Sequence, residues 1–122
     1  MMRMFNHYKD MSTLSLWLEL RNEPPLKLEL PKIGFIVDDI AAGFLCQTDS
    51  GWCFIDPFFS NPKAKVKDIR LAMVEIGNVL LDTARQMKFK RVLYITSKDS
   101  ISKFAYRNGM QTGKINYGYI DL

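Results

Sequence analysis

Three short apolar runs, "IGFIVDD", "IAAGFLCQT" and "WCFIDPF", lie in succession between residues 33 and 58. Only Asp38-Asp39 and Asp49-Ser50-Gly51 separate them. Turn residues placed so closely between β-type runs leave room for little but hairpins, so the segment reads as an antiparallel meander.

The next segment narrows the topology further. From about Lys67 to Met87 the pattern is helical, with Ile69, Met73, Ile76, Leu80, Ala84 and Met87 on one stripe. Ala72, Val79 and Thr83 widen that stripe, and Leu71, Val74 and Leu81 add apolar surface elsewhere, so cover on more than one side is expected. "RVLYITS" is nearly continuous in apolar character. Preceded by a helix, it reads as a buried strand parallel to "WCFIDPF", reached by a right-handed crossover. At such a crossover a helix start and strand ends converge, and a ligand can bind there.

The flanks complete the element order. Residues 2 to 8 suit a first strand. "DMSTLSLWLELRN" puts Met11, Leu14, Trp17 and Leu18 at helical spacing, with Asp10 or Ser12 as the cap and Pro24 and Pro25 as the stop. "LKLEL" is an extended linker or an edge strand. A further helix is predicted from Asp99 to Asn108 with Gly109 in the C′ position, and Ile115, Tyr117 and Tyr119 alternate as a last strand. The expectation is an α+β chain. It has a mixed sheet with an antiparallel meander, one parallel crossover and about three helices, in a single domain over residues 1–122.

Composition excludes some classes. No apolar run approaches the roughly 18 residues that span a bilayer, so no membrane association is expected. "MMRMFNHYKDM" lacks an apolar signal-peptide core, so a cytoplasmic protein is expected. Cys46 and Cys53 flank the "TDSG" turn and could approach across a hairpin; without an export signal, reduced thiols are the expectation, and no metal site is formed from so few ligands. His7, the one histidine, cannot anchor a metal site by itself. The net charge of +4 is partly gathered in Lys63, Lys65, Lys67 and Arg70, which suits an anionic partner or a solvated turn. No base-reading motif or aromatic–basic interleaving accompanies that cluster, so nucleic acid is not expected as a partner.

In its element order the sequence resembles the GNAT superfamily, the acetyl-coenzyme A-dependent N-acyltransferases, over essentially the whole chain. "IAAGFL" is similar to the family's third strand, and "DTARQMKFKRVLYITS" resembles the end of its coenzyme-site helix running into the fifth strand. "KFAYRNGM" resembles the family's "FYEKxGF" helix ending, and the chain's style resembles small GNAT-like proteins of bacteriophages, which would place it in a host cytoplasm.

The resemblance implies acetyl-CoA as cofactor, entering a V-shaped opening between the fourth and fifth strands. Pantetheine would pair with the fourth strand near Asp56 to Phe59, through Pro57, Phe58 and Phe59. The pyrophosphate would sit on N–H groups at the start of the long helix. The partner is then a coenzyme A thioester with an unidentified amine acceptor, acetylated by base-assisted attack.

Departures from the family pattern bear on mechanism. The Gln/Arg-x-x-Gly-x-Gly/Ala loop would fall with its polar position on Asp68 and its glycines on Leu71 and Met73, where side chains obstruct close approach of backbone to phosphate. Lys63, Lys65, Lys67 and Arg70 could compensate through side-chain contacts, and Ser97, beside Lys98 and Ser100, caps the next helix or bonds to the coenzyme arm. Ala105 falls where the family often has its tyrosine acid, and Tyr106 is one position on, about 100° round the helix. Tyr94, Tyr117 and Tyr119 are possible substitutes. Asp56 is the candidate base, expected on the Trp52 and Phe54 face; its plainer role is to shape a turn before Pro57. The resemblance also admits a second reading: a GNAT-fold protein without catalysis that binds a protein partner or another copy of itself.

Overall fold

The structure is a computed structural model, and it describes residues 1–27, 29–94, 103, 105–111, 113, 120 and 121. Along the chain come β1 (Met2–Met4), α1 (Met11–Leu20), β2 (Ile33–Val37), β3 (Ala41–Gln47), β4 (Trp52–Ser60), α2 (Val66–Gln86) and β5 (Arg91–Leu93). The five strands form one sheet in the order β1-β2-β3-β4-β5. All pairs are antiparallel except β4 with β5, which is parallel with Trp52 opposite Arg91 and Phe54 opposite Leu93. The expected meander and crossover are therefore present. The predicted last strand lies outside the described residues. Of the helix predicted before it, Lys103 and residues 105 to 107 are helical.

Strand alternation sorts the core into two layers. Val37, Ala41, Leu45, Cys53 and Ile55 face α2, where Ala72, Ile76, Leu80 and Ala84 form its buried stripe. Ile36, Ala42 and Phe44 face the other way, toward Leu14 and Trp17 of α1. Of the apolar residues off the α2 stripe, Leu81 packs against the core while Leu71 is 61% exposed, and Met87 lies past the helix end as its C-cap. Cys46 pairs with Phe54 and Cys53 with Gln47, so the two cysteines point to opposite faces and both are free thiols. They lie on neighbouring rungs of the hairpin without a disulfide, as the reduced-thiol reading expects.

Asp10 holds the N-cap position of α1 but makes no capping bond. Its carboxylate turns back to accept a two-pronged pair from Arg3, at 2.8 and 2.7 Å, and the Asn6 N–H at 2.7 Å. The first strand consequently ends at Met4 rather than running to residue 8, and the chain from Phe5 to Asp10 folds around this carboxylate. The Arg3 guanidinium holds the Asp10 carboxyl below its usual range. That stabilisation is present above the unfolded carboxylate value of about 3.9 and is lost as pH falls through the lower folded value. Asp10→Ala is expected to destabilise by about 1–3 kcal/mol at pH 7, less as pH approaches about 3, measured by urea unfolding.

Each helix end is closed by a residue in the left-handed region: Asn22 (φ 55°), Lys88 (φ 70°) and Gly109 (φ 92°). The bonds Glu23 N–H to Leu18 O, Phe89 N–H to Ala84 O and Met110 N–H to Ala105 O are the long closures of three Schellman motifs. α1 is therefore already terminated when the chain reaches Pro24. Lys88 is the costly member, because its Cβ crowds the carbonyl. Lys88→Gly is expected to stabilise by about 1 kcal/mol, raising Tm by a few degrees.

Candidate functional site

The site is built on an irregularity of β4. Gly43 pairs with Phe58 and Leu45 with Ile55, so Asp56 and Pro57 together lie opposite the single residue Phe44. This is a bulge, and it contains the cis Asp56–Pro57 peptide. It reverses the strand's facing: Cys53 and Ile55 point to α2 before it, whereas Phe58 packs on the α2 side and Phe59 on the α1 side after it. Simple alternation, which put Asp56 on the Trp52 and Phe54 face, stops being a guide at this residue.

Past Phe54 no described strand covers the outer edge of β4. A cavity of about 180 Å³ lies against that edge, between Phe58, Phe59 and Ser60 of β4, Trp17 and Leu18 of α1, and Met73 of α2, with Arg21 and Glu23 completing its lining. Because α1 and α2 sit on opposite faces, a cavity that touches both has to wrap round an uncovered strand edge. Arg21 is held there by bonds from Nε to Ser60 O (3.3 Å) and from Nη2 to Ser60 Oγ (2.7 Å). The room suits an acyl group and part of an arm; whole small ligands usually occupy about 300–1,000 Å³.

Asp56 is an exposed residue on the bulge. Partial burial pushes its carboxyl up from the ordinary value, and no charged group among the described residues opposes the shift. A raised carboxylate is a stronger base, which suits removal of a proton from an attacking amine.

Between the bulge and α2 the chain turns at Asn61. Its Oδ1 accepts from the Lys63 N–H at 2.9 Å, the side-chain bond of an Asx turn. α2 then starts at Val66 with Lys65 as N-cap and no side-chain acceptor on its first N–H groups. Those free donors and the positive end of the helix attract anions. Lys63, Lys65, Lys67 and Arg70 are all exposed around this end, and no ion pair joins them among the described residues.

The positions matched to the family's loop lie within α2. Asp68 lies in the first helical turn, and Leu71 and Met73 lie further inside α2 rather than in a loop. Leu71 points to solvent and Met73 into the cavity, so neither covers the first N–H groups.

The remaining residues divide. Pro57, Phe58 and Phe59 occupy the bulge and the open edge; Lys67 and Arg70 occupy the first turns of α2. Ala105 is buried and Tyr106 is 68% exposed, as the 100° offset between them requires. Tyr94 is half-buried directly after β5. Ser97, Lys98, Ser100, Tyr117 and Tyr119 lie outside the described residues. Sequence pattern assigns no site role to Arg21, Glu23 or Asp39, and it assigns Trp17 to the core alone. No local signal marks them, since they meet only through the fold. No group of three or more potential metal ligands occurs among the described residues. No helix there is long and apolar enough to cross a membrane.

No protein-family model and no curated protein sequence matches the chain significantly. Solved structures do. An aminoglycoside acetyltransferase from an uncultured soil metagenomic sample, in complex with sisomicin, superposes with a TM-score of 0.69 at 11% identity, over 100% of this chain and 95% of that one. The aminoglycoside acetyltransferase AAC(6′)-Iy, in complex with a bisubstrate analogue of CoA, gives 0.67 at 12% identity, over 100% and 97%. An acetyltransferase of Trypanosoma brucei gives 0.62 at 16%, over 100% and 99%. At such identities the likeness is one of fold, and the chain has the fold of the GNAT acetyltransferases, its open cleft lying along the bulged edge of β4.

Proposed function

We propose that this protein is an acetyl-CoA-dependent N-acetyltransferase acting on an amine, either a small molecule or a protein side chain. The observation that carries this reading is the open edge of β4, with a bulge and a cavity at one end and free helix N–H groups at the other. The residues present fit the coenzyme. A pantetheine arm would pair with backbone groups of Pro57, Phe58 and Phe59 along the β4 edge that β5 leaves open among the described residues. The α2 N-terminus with Lys67 and Arg70 suits the phosphates, and Ser97 belongs to the same proposal. When bound, the coenzyme supplies an activated acyl thioester. Asp56 takes the amine proton, and Tyr106 or Tyr94 returns a proton to the thiolate. Similar solved proteins are complexed with CoA, which supports the thioester as partner. A cytoplasmic setting is part of the proposal, that of the host cell for a phage-encoded chain; two unpaired thiols suit a reducing compartment.

A catalytically silent GNAT-fold module that binds a protein or a second copy is the other reading. The exposed ring of Tyr106, turned away from the core side taken by Ala105, favours it. Thermal shift separates the two, with acetyl-CoA, desulfo-CoA and adenosine 3′,5′-bisphosphate at low and moderate salt. Ligand at about 100 times its Kd should stabilise by about 2.7 kcal/mol, a shift of several degrees. Binding that persists in salt, followed by amine-dependent CoA release, supports the transferase. The absence of a shift with all three ligands removes it.

A further inference from the structure

Trp17 lines the β4 cavity, and its Nε1–H donates to Asp39 Oδ1 at 3.2 Å. Through Oδ2 the same carboxylate accepts from Asn61 Nδ2 at 3.2 Å, and the Asp39 backbone oxygen accepts from that nitrogen at 2.9 Å. Asn61 is 8% exposed; it also donates its N–H to Ile40 O at 2.8 Å and receives the N–H groups of Lys63 and Ala64. Trp17 and Asn61 each lie 22 residues from Asp39, so α1, the β2–β3 turn and the approach to α2 meet at one side chain. Asp39 belongs to neither apolar cluster and stands on an exposed turn where water could satisfy its carboxylate. Its two oxygens are instead divided between the cavity wall and the turn that delivers the α2 N-terminus. The indole N–H of a buried tryptophan needs a partner, and here that partner is shared with the anion end of the cleft.

We infer that Asp39 is a positioning residue that joins Trp17 in the cavity wall to the Asn61 turn, so that an anion bound at the start of α2 sets the cavity for the acyl arm. The inference rests on the acetyltransferase reading. Hydrogen-bonded networks with shared members move together, and two sites that bias one element are coupled in free energy.

Trp17 and Trp52 are the two tryptophans of the chain, so Trp52→Phe leaves Trp17 as the sole reporter. Adenosine 3′,5′-bisphosphate carries phosphates but no arm to enter the cavity. In Trp52→Phe protein, saturating bisphosphate is expected to change Trp17 emission. With Asp39→Ala added, calorimetry should still detect bisphosphate binding, but the emission change should vanish and the acetyl-CoA Kd should rise about tenfold, or about 1.4 kcal/mol. If the doubly substituted chain does not fold, Asp39→Asn is read in the same way, because its amide faces one of the two donors with another donor. Equal emission changes with and without the Asp39 substitution, or an unchanged acetyl-CoA Kd, overturn the inference while the acetyltransferase reading stands. Trp52→Phe protein that binds neither ligand removes that reading, and the inference with it.

Discussion

Replacing Asp56 with asparagine is expected to slow amine acetylation by about 10²–10⁴-fold, the usual contribution of a positioned general base. The folded protein should meanwhile be as stable as its parent, or more so, at neutral pH. Burial raises the Asp56 carboxyl above its ordinary value, so the folded state holds the proton more tightly than the unfolded chain. Stability from that preference is complete below the unfolded value of about 3.9 and is lost as pH rises through the folded value. At pH 7 the ionised group therefore works against folding, and the neutral amide does not. The advantage of Asp56→Asn in Tm should shrink as pH is lowered toward about 3, where both states of the parent are protonated. Activity is read from CoA thiol release, and stability from thermal unfolding at the two pH values. A lower Tm with retained turnover would assign Asp56 to the turn before Pro57 rather than to proton transfer.

Ile76→Ala is expected to remove about 2–5 kcal/mol, a large part of the total stability of a small domain. Ile76 is fully buried at the centre of the α2 stripe. It also stands over Gly43: a Cβ there would lie 2.8 Å from Ile76 Cγ2 and 2.5 Å from Phe58 Cε1. Gly43→Ala is therefore overpacked and should cost about 1–3 kcal/mol by itself. The two substitutions err in opposite directions at one place, because Ile76→Ala deletes the Cγ2 that the methyl group introduced by Gly43→Ala would strike. The double variant should be less damaged than the sum of the two, with a coupling of about 0.5 kcal/mol or more by chemical denaturation. Strict additivity would mean that Phe58, and not Ile76, sets the limit on this contact. Gly43 is also the last regular pair beside the bulge, so this packing holds Phe58 where the strand resumes after Asp56 and Pro57.

Element order from β1 to β5 was legible in the sequence because periodicity and turn chemistry are local. The meander needed only β-type runs with Asp38-Asp39 and Asp49-Ser50-Gly51 between them, and α2 only the helical spacing of Ile69, Met73, Ile76, Leu80, Ala84 and Met87, of which Ile76, Leu80 and Ala84 are buried together with Ala72. The parallel partner of β4 was implied by an apolar run after a helix. The resemblance to acetyltransferases pointed to the same order, and the solved structures share that fold.

The tertiary structure decided the rest, for reasons that lie outside any window of sequence. Asp10 resembles a cap, but Arg3 offered its carboxylate two charged donors, a stronger attraction than one helix N–H. Asp56 sits where a bulge breaks the period of two, and a bulge is a property of two paired strands rather than of one. Lys88 closes a helix in a conformation glycine would adopt more readily, because the closing bonds and Phe89 packed on the core outweigh its local preference. Trp17, Asp39 and Asn61 each have an ordinary local reading as core, turn and cap. Only the folded chain, which brings two side chains from 22 residues away on either side onto one carboxylate, turns them into a single strut beside the cleft.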